Sequence, residues 1–202
     1  MNTKTSLVTL IMIFSLMGCG KKNDSVNADL NSTVPAKTTQ ATISWYTDWD
    51  TGMAEAKKNA KPVFVEFYAD WCVYCKKMDK ETFAAPEIEQ RLSNDWVCIK
   101  IDTEARNKSG SVYIDSKANE TFTYFPEGIE NIEEKTLPNN QLIGFFGGRG
   151  IPTLLFIDKT GKTIYPHAGF IPKEQFGPML DYFRDELYSK NVNLGEYIKS
   201  KR

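Results

Sequence analysis

Residues 63–78 constrain the fold of this chain more than any other stretch. The run from Val63 to Ala69 is apolar except for Glu66, and it is rich in β-branched and aromatic residues. Such a run predicts a central strand that is covered on both faces of a sheet. The residues from Lys76 to Glu81 favour a helix, so we expect a helix to begin close to Cys72.

Cys72 and Cys75 therefore fall in the first turn of this helix. At a helix N-terminus, the unpaired backbone N–H groups and the helix dipole stabilise a thiolate. The two intervening residues leave both sulfurs within one turn, close enough to form a disulfide. The stretch thus predicts a reactive cysteine pair at the end of a buried strand.

This stretch closely resembles the thioredoxin superfamily. The segment from Tyr68 to Lys76 is especially similar to the C-terminal periplasmic domain of DsbD-type thiol–disulfide interchange proteins. The segment from Arg149 to Phe156 is similar to the thioredoxin segment that carries a cis-proline opposite the active site. The resemblance implies an α/β thioredoxin fold, with a central mixed β-sheet flanked by helices. We expect this domain to span residues 43–190 and to be followed by a C-terminal tail, residues 191–202.

The resemblance also implies roles for three residues. Cys72 would be the attacking thiolate and the more exposed cysteine, and Cys75 would resolve the mixed disulfide. Glu66 lies six residues before Cys72, at the position of the buried acid of thioredoxin, where the family usually has Asp. A buried carboxyl group has a raised pKa, which suits it to take the proton from Cys75. The alternative is that the strand register turns Glu66 to solvent.

Ile151 and Pro152 form the second half of the implied site. If the peptide bond between them is cis, the Ile151 backbone can pair with an extended substrate strand next to Cys72. Trp71, Tyr74 and Ile151 would then form an apolar docking surface for the substrate.

Two further residues near the implied site have open interpretations. Asp79, four residues after Cys75, either tunes the pKa of the cysteine pair through its negative charge or is an ordinary solvated helix residue. Aligned on Ile101-Asp102, Cys98 takes the place of a lysine that approaches the buried acid in thioredoxin, so we expect this lysine to be absent. Cys98 itself is interpreted as a small buried hydrophobe or, alternatively, as a third redox cysteine.

The first residues of the chain predict export. Lys4 is the only charged side chain ahead of an apolar run, residues 7–17, which is too short to span a bilayer and matches a signal-peptide core. The end of the run, Leu16-Met17-Gly18-Cys19, resembles a bacterial lipobox. This resemblance implies a signal peptide of residues 1–18 and lipidation of Cys19, whereas the alternative is an ordinary secretory signal.

Two polar stretches lack the long apolar runs that are typical of a compact domain. Residues 19–42 predict a flexible tether. Residues 103–137 occupy a place where thioredoxins need only a few residues, and a structureless loop of this length is uncommon. We therefore expect a partly ordered insertion between the third strand of the motif and the cis-proline loop. It is either a surface excursion or a partner-binding surface beside the active site.

Composition narrows the set of partners. The formal net charge is −1, which argues against nucleic acid as a partner. His167 is the only histidine, so a histidine-based metal site is not expected. Neither a metal nor any other cofactor is expected beyond the redox-active Cys72–Cys75 disulfide.

The expected function is that of a membrane-tethered thiol–disulfide oxidoreductase in the cell envelope, facing the periplasm and lipid-anchored to a bacterial membrane. It would reduce disulfides in exported proteins and be re-reduced by a membrane dithiol donor. The Val73-Tyr74 pair between the cysteines contains no histidine, and strongly oxidising relatives carry one there, so the resemblance favours a reductase. The alternatives are a disulfide oxidase or isomerase, and a non-catalytic partner-binding lipoprotein with structural cysteines.

Overall fold

The computed structural model describes residues 42–202. The strands in this part of the chain are β1 (Trp45–Tyr46), β2 (Val63–Tyr68), β3 (Val97–Asp102), β4 (Ser109–Asp115), β5 (Glu120–Phe122), β6 (Ile132–Pro138), β7 (Thr153–Ile157) and β8 (Thr163–Ala168). The helices are α1 (Trp49–Asn59), α2 (Val73–Lys77), α3 (Pro86–Asp95), α4 (Asn139–Phe145), α5 (Lys173–Arg184) and α6 (Leu194–Ser200). A π-helical turn (Met78–Phe83) continues α2, and a 3-10 turn (Leu187–Lys190) follows α5.

Five strands form a central mixed sheet in the order β1-β3-β2-β7-β8. β3 is parallel to both β1 and β2, whereas β7 is antiparallel to both β2 and β8. The predicted central strand is β2, which is buried along almost its whole length because strands pair with both of its edges and helices cover both of its faces. The predicted mixed sheet flanked by helices is confirmed.

The side chains of β2 alternate between the two faces of the sheet, so the strand contributes to two separate clusters of core residues. Phe64 lies in the cluster formed with the π-helical turn, α3 and α5, where it contacts the ring of Phe176. Val65 and Phe67 lie in the cluster formed with α1 and α4, together with Trp49. Glu66 alternates with Val65 and Phe67, so it lies on the same face as Phe64 and the π-helical turn.

The predicted insertion, residues 103–137, folds into an antiparallel three-stranded sheet in the order β5-β4-β6. This sheet lies against α1: the indole N–H of Trp49 donates to the Ser111 carbonyl at 3.0 Å, and Val112 is fully buried in the core. Gly110 permits the close approach, because a Cβ atom there would lie 2.4 Å from Cγ of Trp49. The insertion therefore covers one face of the central core.

A second set of contacts fastens the insertion to the turn between β7 and β8. The N–H of Thr123 donates to the Gly161 carbonyl at 2.8 Å, and Lys162 forms an ion pair with Glu120. The small sheet is thus held both at α1 and at the far hairpin of the central sheet.

Residues 191–202, predicted as a tail, contain α6. The Tyr182 hydroxyl on α5 donates to the Val192 carbonyl at 2.7 Å, and the rings of Tyr182 and Tyr197 lie 5.7 Å apart. The end of the chain therefore packs on α5.

The predicted signal peptide and the predicted tether up to residue 41 lie outside the described residues. Between residues 42 and 202, no helix is both long and apolar enough to cross a membrane.

Candidate active site

Cys72 and Cys75 form a disulfide at the beginning of α2, with their Cα atoms 5.3 Å apart. Cys72 caps the helix, and its Sγ atom accepts a hydrogen bond from the backbone N–H of Cys75 at 3.1 Å. An acceptor at this position lies where the helix dipole favours negative charge. Both residues are buried in this oxidised form, with exposed fractions of 3% and 2%, so the expected difference in their accessibility is not visible here.

The residues around the disulfide form an exposed apolar surface. A turn closed by the Cys72 N–H and the Ala69 carbonyl, 3.0 Å apart, joins the end of β2 to α2. Trp71 and Tyr74, both predicted as docking residues, are 64% and 60% exposed. Val73, which the sequence reasoning did not single out, is 74% exposed. Large exposed apolar side chains next to a buried disulfide are suited to contact a partner polypeptide.

The Ile151–Pro152 peptide bond is cis, as the resemblance implies. Thr153, the first residue of β7, pairs with Phe67 near the end of β2, so the cis-proline and the disulfide lie at the same end of the sheet. The Pro152 carbonyl accepts from Gly169 N–H at 2.8 Å. Within residues 42–202, the backbone N–H and carbonyl of Ile151 make no backbone hydrogen bond, which leaves them available for strand pairing.

Glu66 is fully buried in the middle of β2, which excludes the alternative that its side chain faces solvent. Lys100 Nζ lies 3.0 Å from Oε2 of Glu66. This contact is an ion pair in which the Glu66 side chain is fully buried. Burial raises the pKa of Glu66 to about 7, although the charge of Lys100 lowers it. The carboxyl group can therefore exchange a proton near neutral pH.

The prediction that a lysine near the buried acid is absent is wrong. In the parallel pairing of β2 with β3, Glu66 stands beside Lys100, whereas Cys98 stands beside Phe64. Lys100 lies on the same face of β3 as Cys98, two residues further along the strand. The alignment placed the lysine position one pleat too early, because it matched sequence letters and not the register between the two strands.

Asp79 joins this network from the helix side. Its Oδ1 accepts from Lys100 Nζ at 2.5 Å, and its side chain is half exposed. Burial lowers the pKa of Lys100, but the carboxylates of Glu66 and Asp79 outweigh burial and leave that pKa raised. The negative charge of Asp79 also adds to the raised pKa of Glu66. Asp79 is therefore connected to Glu66 through Lys100, while it also contacts solvent.

Cys98 has the environment of a packing residue. It is buried in β3, its Sγ lies 3.8 Å from the Leu92 carbonyl, and burial raises the pKa of its thiol. A thiol that stays protonated is a poor nucleophile, which favours the interpretation of Cys98 as a buried hydrophobe. Cys19, the predicted lipidation site, lies outside the described residues.

Glu104 contacts the predicted docking residue Trp71, and the sequence did not point to it. Its Oε1 accepts a hydrogen bond from Trp71 Nε1 at 2.8 Å. The sequence carries no signal for this contact, because it depends on the pairing of Tyr68 with Asp102, which brings the residues that follow β2 and β3 to the same end of the sheet. Within residues 42–202, no cluster of histidine, cysteine and carboxylate side chains is arranged to hold a metal ion.

The sequence of this chain is similar to those of known thioredoxin-like proteins. A family model described as a thioredoxin-like domain matches residues 49–184. The thiol:disulfide interchange protein DsbD of Cronobacter sakazakii is 33% identical over 117 residues, which are 56% of this chain and 19% of that protein. DsbD of Vibrio cholerae is 32% identical over 103 residues, 51% of this chain and 17% of that protein. The chain therefore matches less than a fifth of the length of these relatives.

A solved structure shows the same fold at low sequence identity. A thioredoxin-fold protein from Helicobacter pylori superposes with a TM-score of 0.55 at 20% identity, covering 82% of this chain and 94% of that one. The family model spans the segment from α1 to α5 and includes the disulfide, the buried acid and the cis-proline. The chain therefore belongs to the thioredoxin-like family and is related in sequence to the DsbD thiol:disulfide interchange proteins.

Proposed function

We propose that this protein is a thiol–disulfide oxidoreductase that reduces disulfide bonds in exported proteins. The observation that carries the proposal is the Cys72–Cys75 disulfide at the beginning of α2, at the same end of the sheet as the cis Ile151–Pro152 bond. The exposed side chains of Trp71 and neighbouring residues offer a partner polypeptide an apolar contact next to the sulfurs.

The reaction begins from the reduced form of the cysteine pair. The Cys72 thiolate attacks one sulfur of a partner disulfide, so the partner S–S bond breaks, a mixed disulfide forms and one partner sulfur leaves as a thiolate. Cys75 then loses its proton and attacks Cys72 Sγ, which releases the second partner sulfur. Two electrons pass to the partner, and the domain is left with the Cys72–Cys75 disulfide.

Glu66 is proposed as the group that takes the proton from Cys75. Its pKa of about 7 lets it accept a proton when the mixed disulfide is resolved and return it when the pair is reduced again. Lys100 and Asp79 connect this buried carboxyl to the helix that carries both cysteines. A membrane dithiol is proposed as the electron donor that restores the reduced pair.

The direction of the reaction is tested by the reduction potential of the cysteine pair, measured by equilibration with glutathione buffers. A value close to that of thioredoxin, about −270 mV, is the expected result for a reductase. A value close to that of DsbA, about −120 mV, would instead favour a disulfide oxidase. If the wild-type protein reduces insulin no faster than Cys72→Ser, the proposed reductase activity is wrong.

We also propose that the protein is lipid-anchored through Cys19 and faces the periplasm. The proposal rests on the lipobox-like sequence that ends at this residue. In bacteria that express this chain and are fed radiolabelled palmitate, the wild-type protein should incorporate the label and Cys19→Ala should not. Cys98→Ala serves as the control and should incorporate as much label as the wild type. A Cys19→Ala variant that is labelled like the wild type would contradict the lipid anchor.

A further inference from the structure

The insertion brings an unpaired cation close to the cysteine pair. Arg106 lies two residues after Glu104, whose carboxylate contacts the Trp71 ring beside the disulfide. The Arg106 side chain is exposed and, within residues 42–202, it has neither an ion-pair nor a hydrogen-bond partner. The five N–H donors of its guanidinium group are therefore available to a ligand.

Arg106 lines a polar cleft of about 400 Å³ together with Thr103, Glu104 and Asn140. The Asn140 side chain is exposed, and its amide also lacks a partner in the part of the chain that the structure describes. A planar guanidinium group matches the two oxygens of a carboxylate, and an amide supplies further N–H donors. The unpaired donors of this cleft are therefore suited to a carboxylate.

The backbone on both sides of Arg106 is held in place, which limits the entropy that is lost when a ligand binds. The Ala105 N–H donates to the Asp102 carbonyl at 3.3 Å, and the Lys108 N–H donates to the Ala105 carbonyl at 3.2 Å. The Lys108 carbonyl accepts from the Asn139 N–H at 3.1 Å. The turn that carries Arg106 is therefore joined to the end of β3 and to the beginning of α4.

The charge of Glu104 narrows the kind of anion that the cleft can take. Its carboxylate accepts from a neutral indole N–H, and no cation between residues 42 and 202 pairs with it. A dianion such as phosphate is repelled by this charge more strongly than a carboxylate with a single charge. A carboxylate that approaches Arg106 from the solvent side is therefore the favoured ligand.

We infer that Arg106 and Asn140 form a subsite for an acidic side chain of the partner polypeptide whose disulfide Cys72 attacks; this inference rests on the proposed function. Trp71 connects Cys72 to the cleft, so one extended chain can reach both. The acidic residue would then lie roughly three to six residues from the target cysteine, at about 3.3 Å for each extended residue. The insertion thus gives the protein a preference for acidic substrates.

Peptides that differ only in charge test the subsite. Each carries one cysteine activated as a 2-pyridyl disulfide, with either Glu or Gln at the third to sixth residues on each side. The ratio of the Glu rate to the Gln rate, measured with the reduced protein, should be about twofold to fivefold lower in Arg106→Gln than in the wild type, as expected for a solvent-accessible ion pair. The uncharged 2,2′-dithiodipyridine should react with both proteins at rates within about twofold, because Arg106 takes no part in the attack on sulfur.

Lys117→Gln is the matched control, because it removes the same charge from the insertion at the opposite end of β4. Its ratio of the two rates should equal that of the wild type. An unchanged ratio in Arg106→Gln, or an equal fall in Lys117→Gln, would overturn the subsite.

Binding to the oxidised protein tests the subsite without a redox step. Versions of the two peptides with Ser in place of the cysteine are titrated while the side-chain amide signal of Asn140 is followed by NMR. The Glu peptide should shift this signal more than the Gln peptide does, and Arg106→Gln should remove the difference. No difference between the peptides in the wild type would overturn the subsite. A wild type that reduces no peptide disulfide, but that shows the charge-dependent shift, would overturn the proposed function and leave the subsite standing.

Discussion

Burial of Glu66 has two consequences: it raises the pKa of the carboxyl group, and it lowers the stability of the fold when that group is ionised. It is fully buried, its closest charged contact is Lys100, and burial raises its pKa to about 7. A carboxyl group with this pKa can act as a proton acceptor at neutral pH. The same burial disfavours the ionised form, so the protein gives up stability to keep the acid beside the cysteine helix.

The pH dependence of stability follows from this raised pKa. Between the ordinary value of 4.5 and about 7, the folded state keeps a proton on Glu66 that the unfolded chain has lost. The free energy of unfolding therefore falls as pH rises through this window. Glu66→Gln has no carboxyl group to ionise, so its free energy of unfolding should not fall in this way. The difference in free energy of unfolding between this variant and the wild type should therefore change by about 3 kcal/mol in favour of the variant from pH 4.5 to pH 7. Urea unfolding at several pH values measures the difference.

The exposed carboxyl of Glu127 provides the control for this experiment. Glu127→Gln should follow the wild-type curve at every pH. A Glu66→Gln variant whose stability difference from the wild type is the same at pH 4.5 and at pH 7 would show that the carboxyl is not buried in the way the structure describes.

The influence of Lys100 on the acid can be measured directly. Its positive charge lowers the pKa of Glu66, against the larger effect of burial. Lys100→Met should therefore move that pKa upward from about 7, and Lys100→Arg should keep it close to the wild-type value. The carboxyl ¹³C shift of Glu66, titrated by NMR, reports the change. A downward movement in the Met variant would contradict the ion pair.

At the scale of elements, the insertion is a third layer over the core, and Gly110 shows how closely it packs. A Cβ atom at this position would lie 2.4 Å from the Trp49 ring, so Gly110→Ala must displace β4 or α1 and should cost about 1–3 kcal/mol. Gly144 is the matched control, because it lies in α4 with no atom within 4 Å of an added Cβ. Gly144→Ala should leave stability unchanged or raise it by up to about 1 kcal/mol.

Thermal unfolding of the two variants compares these effects directly. A lower melting temperature for Gly110→Ala alone is the expected result. Equal melting temperatures would mean that the insertion does not pack tightly on α1.

A strand or helix whose residue pattern lies within one short segment could be predicted from the sequence. A contact that depends on how two strands align with each other could not. The β2 strand and the cysteine helix follow from an apolar run and the helix-forming residues behind it. The partnership of Lys100 with Glu66 depends on how β2 and β3 align, which neither segment encodes alone. The pairing of β4 with β6, from Ser109 opposite Pro138 to Asp115 opposite Ile132, joins residues far apart in a polar stretch without clear alternation.

At the scale of the whole molecule, the fold brings three separate segments to one end of the central sheet. The first carries the cysteine pair and Glu66, the second carries Lys100 and Glu104, and the third is the cis Ile151–Pro152 bond. Two of these segments were recognisable as motifs, whereas the middle one acquires its role only when β3 lies beside β2. We propose that these segments form one site in which Cys72 attacks and Cys75 resolves.

Trapping of the mixed disulfide tests this claim most directly. Cys75→Ser removes the resolving sulfur, so a partner disulfide attacked by Cys72 should remain covalently attached. Peptide mapping by mass spectrometry should find the adduct on Cys72, and the Cys72→Ser/Cys75→Ser double variant should form none. Adducts on Cys98, or the absence of any adduct from Cys75→Ser, would contradict the account.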